Sequence, residues 1–273
     1  MDALRLTASW PVANVAAACV LPDGTTHTVG DDQHVFRLAS ISKTLTAWAA
    51  LVAVEEGIVA LDDPVGQPGC TLRHLLAHAG GYAFDGEAPI ARPGSRRTYS
   101  NTGIELAAAH VADAAAMPFG DYLREAVFEA LGMTATVLRG SPAHGVWSTL
   151  GDQLRWTGEL RLPRLISQRT AEIATTVQFP ELRGVVPGFG RFDPCPWGLG
   201  VEIRGDKSPH WTGRGNSPAT FGHFGGAGTV LWVDPGAEVA CVALTDRPFD
   251  EWADDARRLW PELADAILTE VGG

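Results

Sequence analysis

Strand-like segments sit at both ends of this sequence and helical ones fill its middle, which leaves few ways to build a core. At the N-terminal end, the apolar run "VANVAAACVL" from Val12 to Leu21 meets a turn at Pro22-Asp23-Gly24, and "TTHTVG" reads as the return strand. Strands resume only after about residue 195, as "WGLGVEI", "ATFGHFGGAG" and "GTVLWVDPGAEVACVAL", the last folded at Asp234-Pro235-Gly236. A two-stranded hairpin is marginal alone, so the two ends are expected to pair with each other. The expected fold is therefore α+β: an antiparallel sheet built from N- and C-terminal segments and flanked by helices, with a mostly helical lobe inserted. The sheet lobe would take roughly 1–38 plus 195–273 and the helical lobe roughly 39–194, all within one domain of 273 residues.

The helical middle has legible starts and stops. Ile41, Leu45, Trp48 and Val52 recur at helical spacing, and Gly57 follows as a stop. "TLRHLLAHAGG" is expected to open at Thr71 and close at Gly80. "NTGIELAAAHVADAAA", "DYLREAVFEALGM" and "STLGDQLRWTGEL" read as further helices, and an amphipathic helix runs from about Glu251 to Val271. Residues up to about 38 read as strands. The Gly- and Pro-dense stretch from Pro180 to Pro196 reads as a loop.

Of 21 basic residues only Lys43 and Lys207 are lysines, and Lys43 stands one helical turn after Ser40. A serine hydroxyl is a poor nucleophile until a base removes its proton. Arginine does not give up its own proton in proteins, whereas a desolvated lysine does. At i and i+3 on a helix the two side chains share a face. The helix start also leaves the Ser40 N–H without an intrahelical partner, so it can point at an oxyanion. Gly226 could supply a second backbone donor. Tyr99, one of 3 tyrosines, could relay a proton if a neighbouring ammonium favours its phenolate. Asn101 offers a carbonyl and an NH₂ to hold Lys43 and a substrate amide or ester together.

Ser40-Ile41-Ser42-Lys43, Tyr99-Ser100-Asn101 and His223-Phe224-Gly225, in that order, resemble the three motifs of the class C β-lactamase family, with its related penicillin-binding DD-peptidases and family-VIII-type esterases. "LDDPV" at Leu61, "LGMTAT" at Leu131 and "HGVWSTLGDQLRW" at His144 agree with that pattern. The resemblance implies a β-lactamase-like fold and an acyl-serine mechanism. Ser40 would be the nucleophile, Lys43 and Tyr99 the base pair and Asn101 the contact to substrate and lysine; His223, Gly225 and Gly226 would lie at the substrate. The family's third motif is usually Lys-Thr-Gly. Histidine in its place, with an unperturbed pKa near 6.5, is mostly neutral at about pH 7.5. Neutral esters are then favoured over anionic substrates, unless an arginine elsewhere in the cleft replaces the charge. The chain is short for the family, and the shortening is expected in cleft-edge loops.

The expected activity is hydrolysis of small esters or D-amino-acid amides without metal or cofactor. A β-lactamase or DD-carboxypeptidase, and a catalytically silent binding module on the same fold, remain open. A net charge of −11 without a basic stripe argues against a nucleic-acid partner. No apolar run has the length of a membrane span. The apolar run at Val12 lacks the flanks of a signal peptide, so a cytoplasmic location is expected. His74 and His78 have the i, i+4 spacing of a zinc-protease pair, but Leu75 stands where that chemistry needs glutamate. Cys19, Cys70, Cys195 and Cys241 show no C-x-x-C spacing and read as small buried fillers.

Overall fold

The computed structural model describes residues 1–272. After a 3-10 turn at Ala3–Ser9 come β1 (Val15–Val20), β2 (Thr26–Val29), β3 (Phe36–Arg37) and a second 3-10 turn, Ala39–Ile41. The helical middle holds α1 (Ser42–Glu55), α2 (Leu72–Leu76), α3 (Asn101–Ala115) and α4 (Phe119–Leu123), which runs on into a π turn. Next come β4 (Val137–Leu138), β5 (Val146–Ser148), α5 (Leu150–Arg161) and α6 (Gln168–Thr175). The chain returns through β6 (Gly184–Val186), β7 (Gly190–Phe192), β8 (Glu202–Ile203), β9 (Phe221–Gly225), β10 (Thr229–Asp234) and β11 (Val239–Thr245) to α7 (Ala253–Gly272).

The two ends of the chain do make one sheet. Its order is β2-β1-β11-β10-β9-β8, antiparallel throughout, and β1 lies against β11 with Val15 opposite Thr245. Both faces are covered, and the period-two alternation of the strands sorts side chains between two cores. Ala16, Ala18, Leu231, Val242 and Leu244 point toward the helices of the middle. Ala17, Cys19, Trp232, Cys241 and Ala243 point toward α7. The small residues of β1 let both layers approach closely.

Three expectations need correction. The first residues do not form a strand: Ala3–Ser9 is a 3-10 turn docked on α7, where the Glu270 carboxylate accepts from the N–H groups of Asp2 and Ala3 at 2.9 and 2.8 Å. Those are orphan donors at the start of a turn, and a carboxylate satisfies them. The Gly- and Pro-dense stretch is not an irregular loop either. Val186 faces Gly190 across a tight β6–β7 hairpin. Third, α2 closes at Leu76 rather than at Gly80, although Thr71 caps it as expected.

All four cysteines are free and buried. Burial pushes the Cys19 thiol up to about 12. No helix among the described residues is long and apolar enough to cross a membrane.

Candidate active site

Ser40 lies in the 3-10 turn between β3 and α1, and two strands, β5 and β10, hold that turn. Leu38 N–H donates to Val146 O of β5 at 2.9 Å, the Val146 N–H donates to Ser42 Oγ at 3.0 Å, and Thr229 Oγ1 donates to Leu38 O at 2.9 Å. Ala39, just before the serine, is in the left-handed region at φ +48°, a strained conformation for a residue with a Cβ. Gly225 makes the approach of β9 possible. A Cβ there would sit 2.2 Å from Leu38 O and 2.3 Å from Thr229 Oγ1. Its requirement is thus steric, and it brings the strand end, with Gly226 directly after it, against the serine turn. Gly226 is exposed, and its carbonyl accepts from Phe249 N–H.

Lys43 sits in the first turn of α1 with no exposed surface. Its Nζ lies 2.7 Å from Asn101 Oδ1, 2.9 Å from Ala143 O and 3.2 Å from Ser40 Oγ. Two of these neighbours are carbonyl oxygens that only accept, so they take two N–H bonds. A neutral amine then has its lone pair left for the serine hydroxyl. Burial lowers the Lys43 pKa to about 7, against the more distant Glu105 and Asp85, which raise it. Lys207 is the contrast. It is also buried, but it touches the buried Glu202 carboxylate at 3.1 Å. Burial would raise Glu202, yet Lys207, His210 and Trp211 hold it down at about 2. One lysine touches a counter-ion, and the other touches two carbonyls and a hydroxyl.

Ser100, not Asn101, caps α3 by accepting from Gly103 N–H at 3.0 Å. The Asn101 side chain is therefore available to the site. Its carbonyl faces Lys43, and one N–H of its NH₂ donates to Asp85 at 3.0 Å, which leaves the second N–H as a donor. Tyr99 is packed among His78, Phe84, Trp197 and His223, and its ring carries Lys43 Nζ 4.8 Å from the centroid. Burial raises its pKa, with a hydrogen bond to Ser40 opposing. A Tyr99 phenolate, the condition set for its proton relay, is thus not favoured: burial outweighs, and the amine beside it is itself driven toward neutrality.

His223 is 2% exposed and packs against the rings of Tyr99 and Trp197. Its Nδ1 donates to Phe224 O at 2.6 Å, because a carbonyl can only accept. That leaves Nε2 as an acceptor, 3.4 Å from the Tyr99 hydroxyl. Burial and then the Lys43 charge lower its pKa to about 4.

His74 and His78 do not share a helix face, since α2 ends first and His78 adopts φ +54°. His74 stacks on Phe179, while His78 Nδ1 accepts from Ser100 N–H at 3.2 Å. Sequence reasoning passed over Trp197, Asp85 and Ala143, and weighed His78 only as half of a zinc pair. Ala143 acts through a backbone carbonyl, which leaves no mark in a sequence. Beside Tyr99 opens a cavity of about 730 Å³, walled by the 83–99 segment and the β6–β7 hairpin.

A family model described as Beta-lactamase matches residues 12–264. A solved β-lactamase from Mycobacterium bovis is 50% identical, with a TM-score of 0.95 over 98% of this chain and 99% of that one. D-amino acid amidase from Ochrobactrum anthropi, 19% identical, shares the fold with a TM-score of 0.78 over 99% of both chains. A penicillin-binding protein of Bacillus subtilis is 30% identical over 37% of this chain and 30% of its own length. The chain also spans less than half the length of the D-alanyl-D-alanine carboxypeptidases it matches.

Proposed function

The chain belongs to the beta-lactamase family, and from that premise we propose that it is a serine hydrolase working through an acyl-enzyme. Its substrates would be small esters or D-amino-acid amides that carry no carboxylate beside the scissile bond. The observation that carries this reading is the buried Lys43 amine, poised between Asn101 and Ala143 with Ser40 in its remaining direction.

In this reading neutral Lys43 takes the Ser40 proton as Oγ attacks the acyl carbon. The N–H groups of Ser40 and Gly226 face the oxyanion that forms. Tyr99, held protonated by burial, donates to the leaving group. The proton that Lys43 gains from Ser40 makes good the one that Tyr99 gives to the leaving group, so both are neutral in the acyl-enzyme. Water then adds its hydroxyl to the acyl carbon as its proton goes to this pair, and Ser40 Oγ leaves by taking that proton back. At rest the Tyr99 hydroxyl donates to the neutral His223 Nε2, and its one proton turns from there to the leaving group as the scissile bond breaks, while Asn101 orients the lysine. The described segments act as one catalytic unit. A cytoplasmic site of action belongs to the same reading and favours soluble esters over cell-wall peptides.

The substrate preference rests on His223. Where a third-motif lysine would present a permanent charge, this chain has a neutral imidazole with a pKa of about 4, so a carboxylate next to the reacting carbonyl finds no cation there. The test is a panel of nitrophenyl esters, a chromogenic cephalosporin and D-Ala-D-Ala peptides on one enzyme preparation. Ester turnover should exceed cephalosporin turnover clearly at neutral pH. A cephalosporin kcat/KM equal to or above that of the best ester sinks the substrate assignment.

A further inference from the structure

The cavity beside Tyr99 has features that the acyl-transfer chemistry does not use. Its volume of about 730 Å³ lies in the range of small-molecule sites. Three of the large apolar side chains that stay exposed, Phe84, Ile90 and Val185, line it together. Isolated exposed apolar residues are ordinary, but a cluster at a concave site marks a binding surface.

Its charge is equally uneven. Four arginines line it against one carboxylate, Asp193, in a chain whose net charge is −11. Arg97 is buried and committed to backbone carbonyls, among them Cys195, Ala77 and Gln178. Arg96, Arg183 and Arg191 have no ion-pair partner among the described residues, whereas Arg73, Arg257 and Arg258 pair with carboxylates. Arg183 and Val185 are two apart, and Val185 lies opposite Arg191 in the hairpin register, so these three share one face. The hairpin is fixed in place. Arg97 N–H donates to Arg183 O at 2.8 Å, and a Cβ at Gly184 would lie 2.5 Å from that of Arg97.

We propose that this cavity is a substrate subsite for an apolar arm that ends in a carboxylate, remote from the scissile bond and held by Arg96, Arg183 and Arg191. Guanidinium groups recognise carboxylates through paired N–H bonds, and the apolar wall between them and Tyr99 suits a methylene or aryl spacer. Neutral His223 disfavours a carboxylate beside the reacting carbonyl, and the arginines favour one at the far end of the arm. This inference rests on the serine-hydrolase reading for turnover, though not for binding.

The test compares nitrophenyl half-esters of α,ω-dicarboxylic acids with nitrophenyl alkanoates of equal chain length. The shortest half-esters should be the poorer substrates. With longer spacers the half-ester should overtake its neutral match in kcat/KM by about tenfold, through KM, since hydrogen bonds to charged groups contribute on this scale. The advantage should shrink at about 0.5 M salt, because the arginines are exposed. It should fall to about one in Arg183→Gln/Arg191→Gln. A thermal melt checks that this variant folds, and Arg96→Gln, outside the hairpin, carries the test if it does not. A ratio at or below one for every spacer, or a ratio that survives the substitutions, overturns the inference. If no ester is hydrolysed and no Ser40 adduct forms, the hydrolase reading fails instead. The subsite is then read by calorimetric binding of monomethyl suberate to Ser40→Ala: binding lost with the arginines supports it, and equal binding refutes it.

Discussion

Replacing Lys43 with methionine should remove a pH dependence of stability whose size follows from the amine's surroundings. The amine is fully buried and its three contacts are all uncharged, a hydroxyl and two carbonyls. Burial brings its pKa from 10.5 to about 7, which amounts to roughly 5 kcal/mol against the charged form. Between those two values the unfolded chain holds a proton that the native state lacks. Native stability therefore rises with pH through this window. The cost is largest below about pH 7, where both states are protonated, and it vanishes above the unfolded value. Chemical denaturation of the wild type and Lys43→Met side by side isolates the effect, because every other titrating group is common to both. From about pH 7.5 to about pH 9.5 the wild type should gain roughly 2.5 kcal/mol on the variant. In the wild type, kcat/KM for an ester should also rise with pH through about 7, as the amine becomes a base. Stability curves that stay parallel over this range would refute the neutral buried amine.

Tyr99→Phe keeps the stacked ring but removes the hydroxyl, and kcat should fall about 10²-fold or more in steady-state ester assays. An unchanged kcat would leave Tyr99 as a packing residue. Gly225→Ala places a methyl 2.2 Å from Leu38 O, so β9 must move off the serine turn. A loss of about 1–3 kcal/mol should appear in the denaturation midpoint, together with loss of activity, and an unchanged midpoint would show that the close approach is dispensable.

The sequence and the structure agree where a pattern carries a local physical cause. Ser40 and Lys43 were legible because a base one helical turn from a serine is a local arrangement. The sheet was legible from Val12–Leu21 and Val239–Leu244 because buried strands leave apolar runs. The helix after Ser40 was only half legible. Ile41, Leu45, Trp48 and Val52 suggest one apolar face, yet α1 is enclosed on almost all sides, and the alanines between them gave no contrast to read. The β6–β7 hairpin was hidden because its strands of three residues are shorter than the turn signals around them. The state of Tyr99 depended on burial against His78, Trp197 and His223, residues far apart in the chain. Neither the Ala143 carbonyl nor the left-handed Ala39 has a side chain that could announce its role.

The central claim is that Ser40 is a nucleophile activated by Lys43, and covalent labelling tests it directly. The protein is treated with a fluorophosphonate, which reacts with activated serines, and the adduct is located by intact mass and peptide mapping. A single adduct on Ser40, absent from folded Ser40→Ala, is the expected result. Labelling that persists in Ser40→Ala, or an unlabelled folded wild type, would contradict the account.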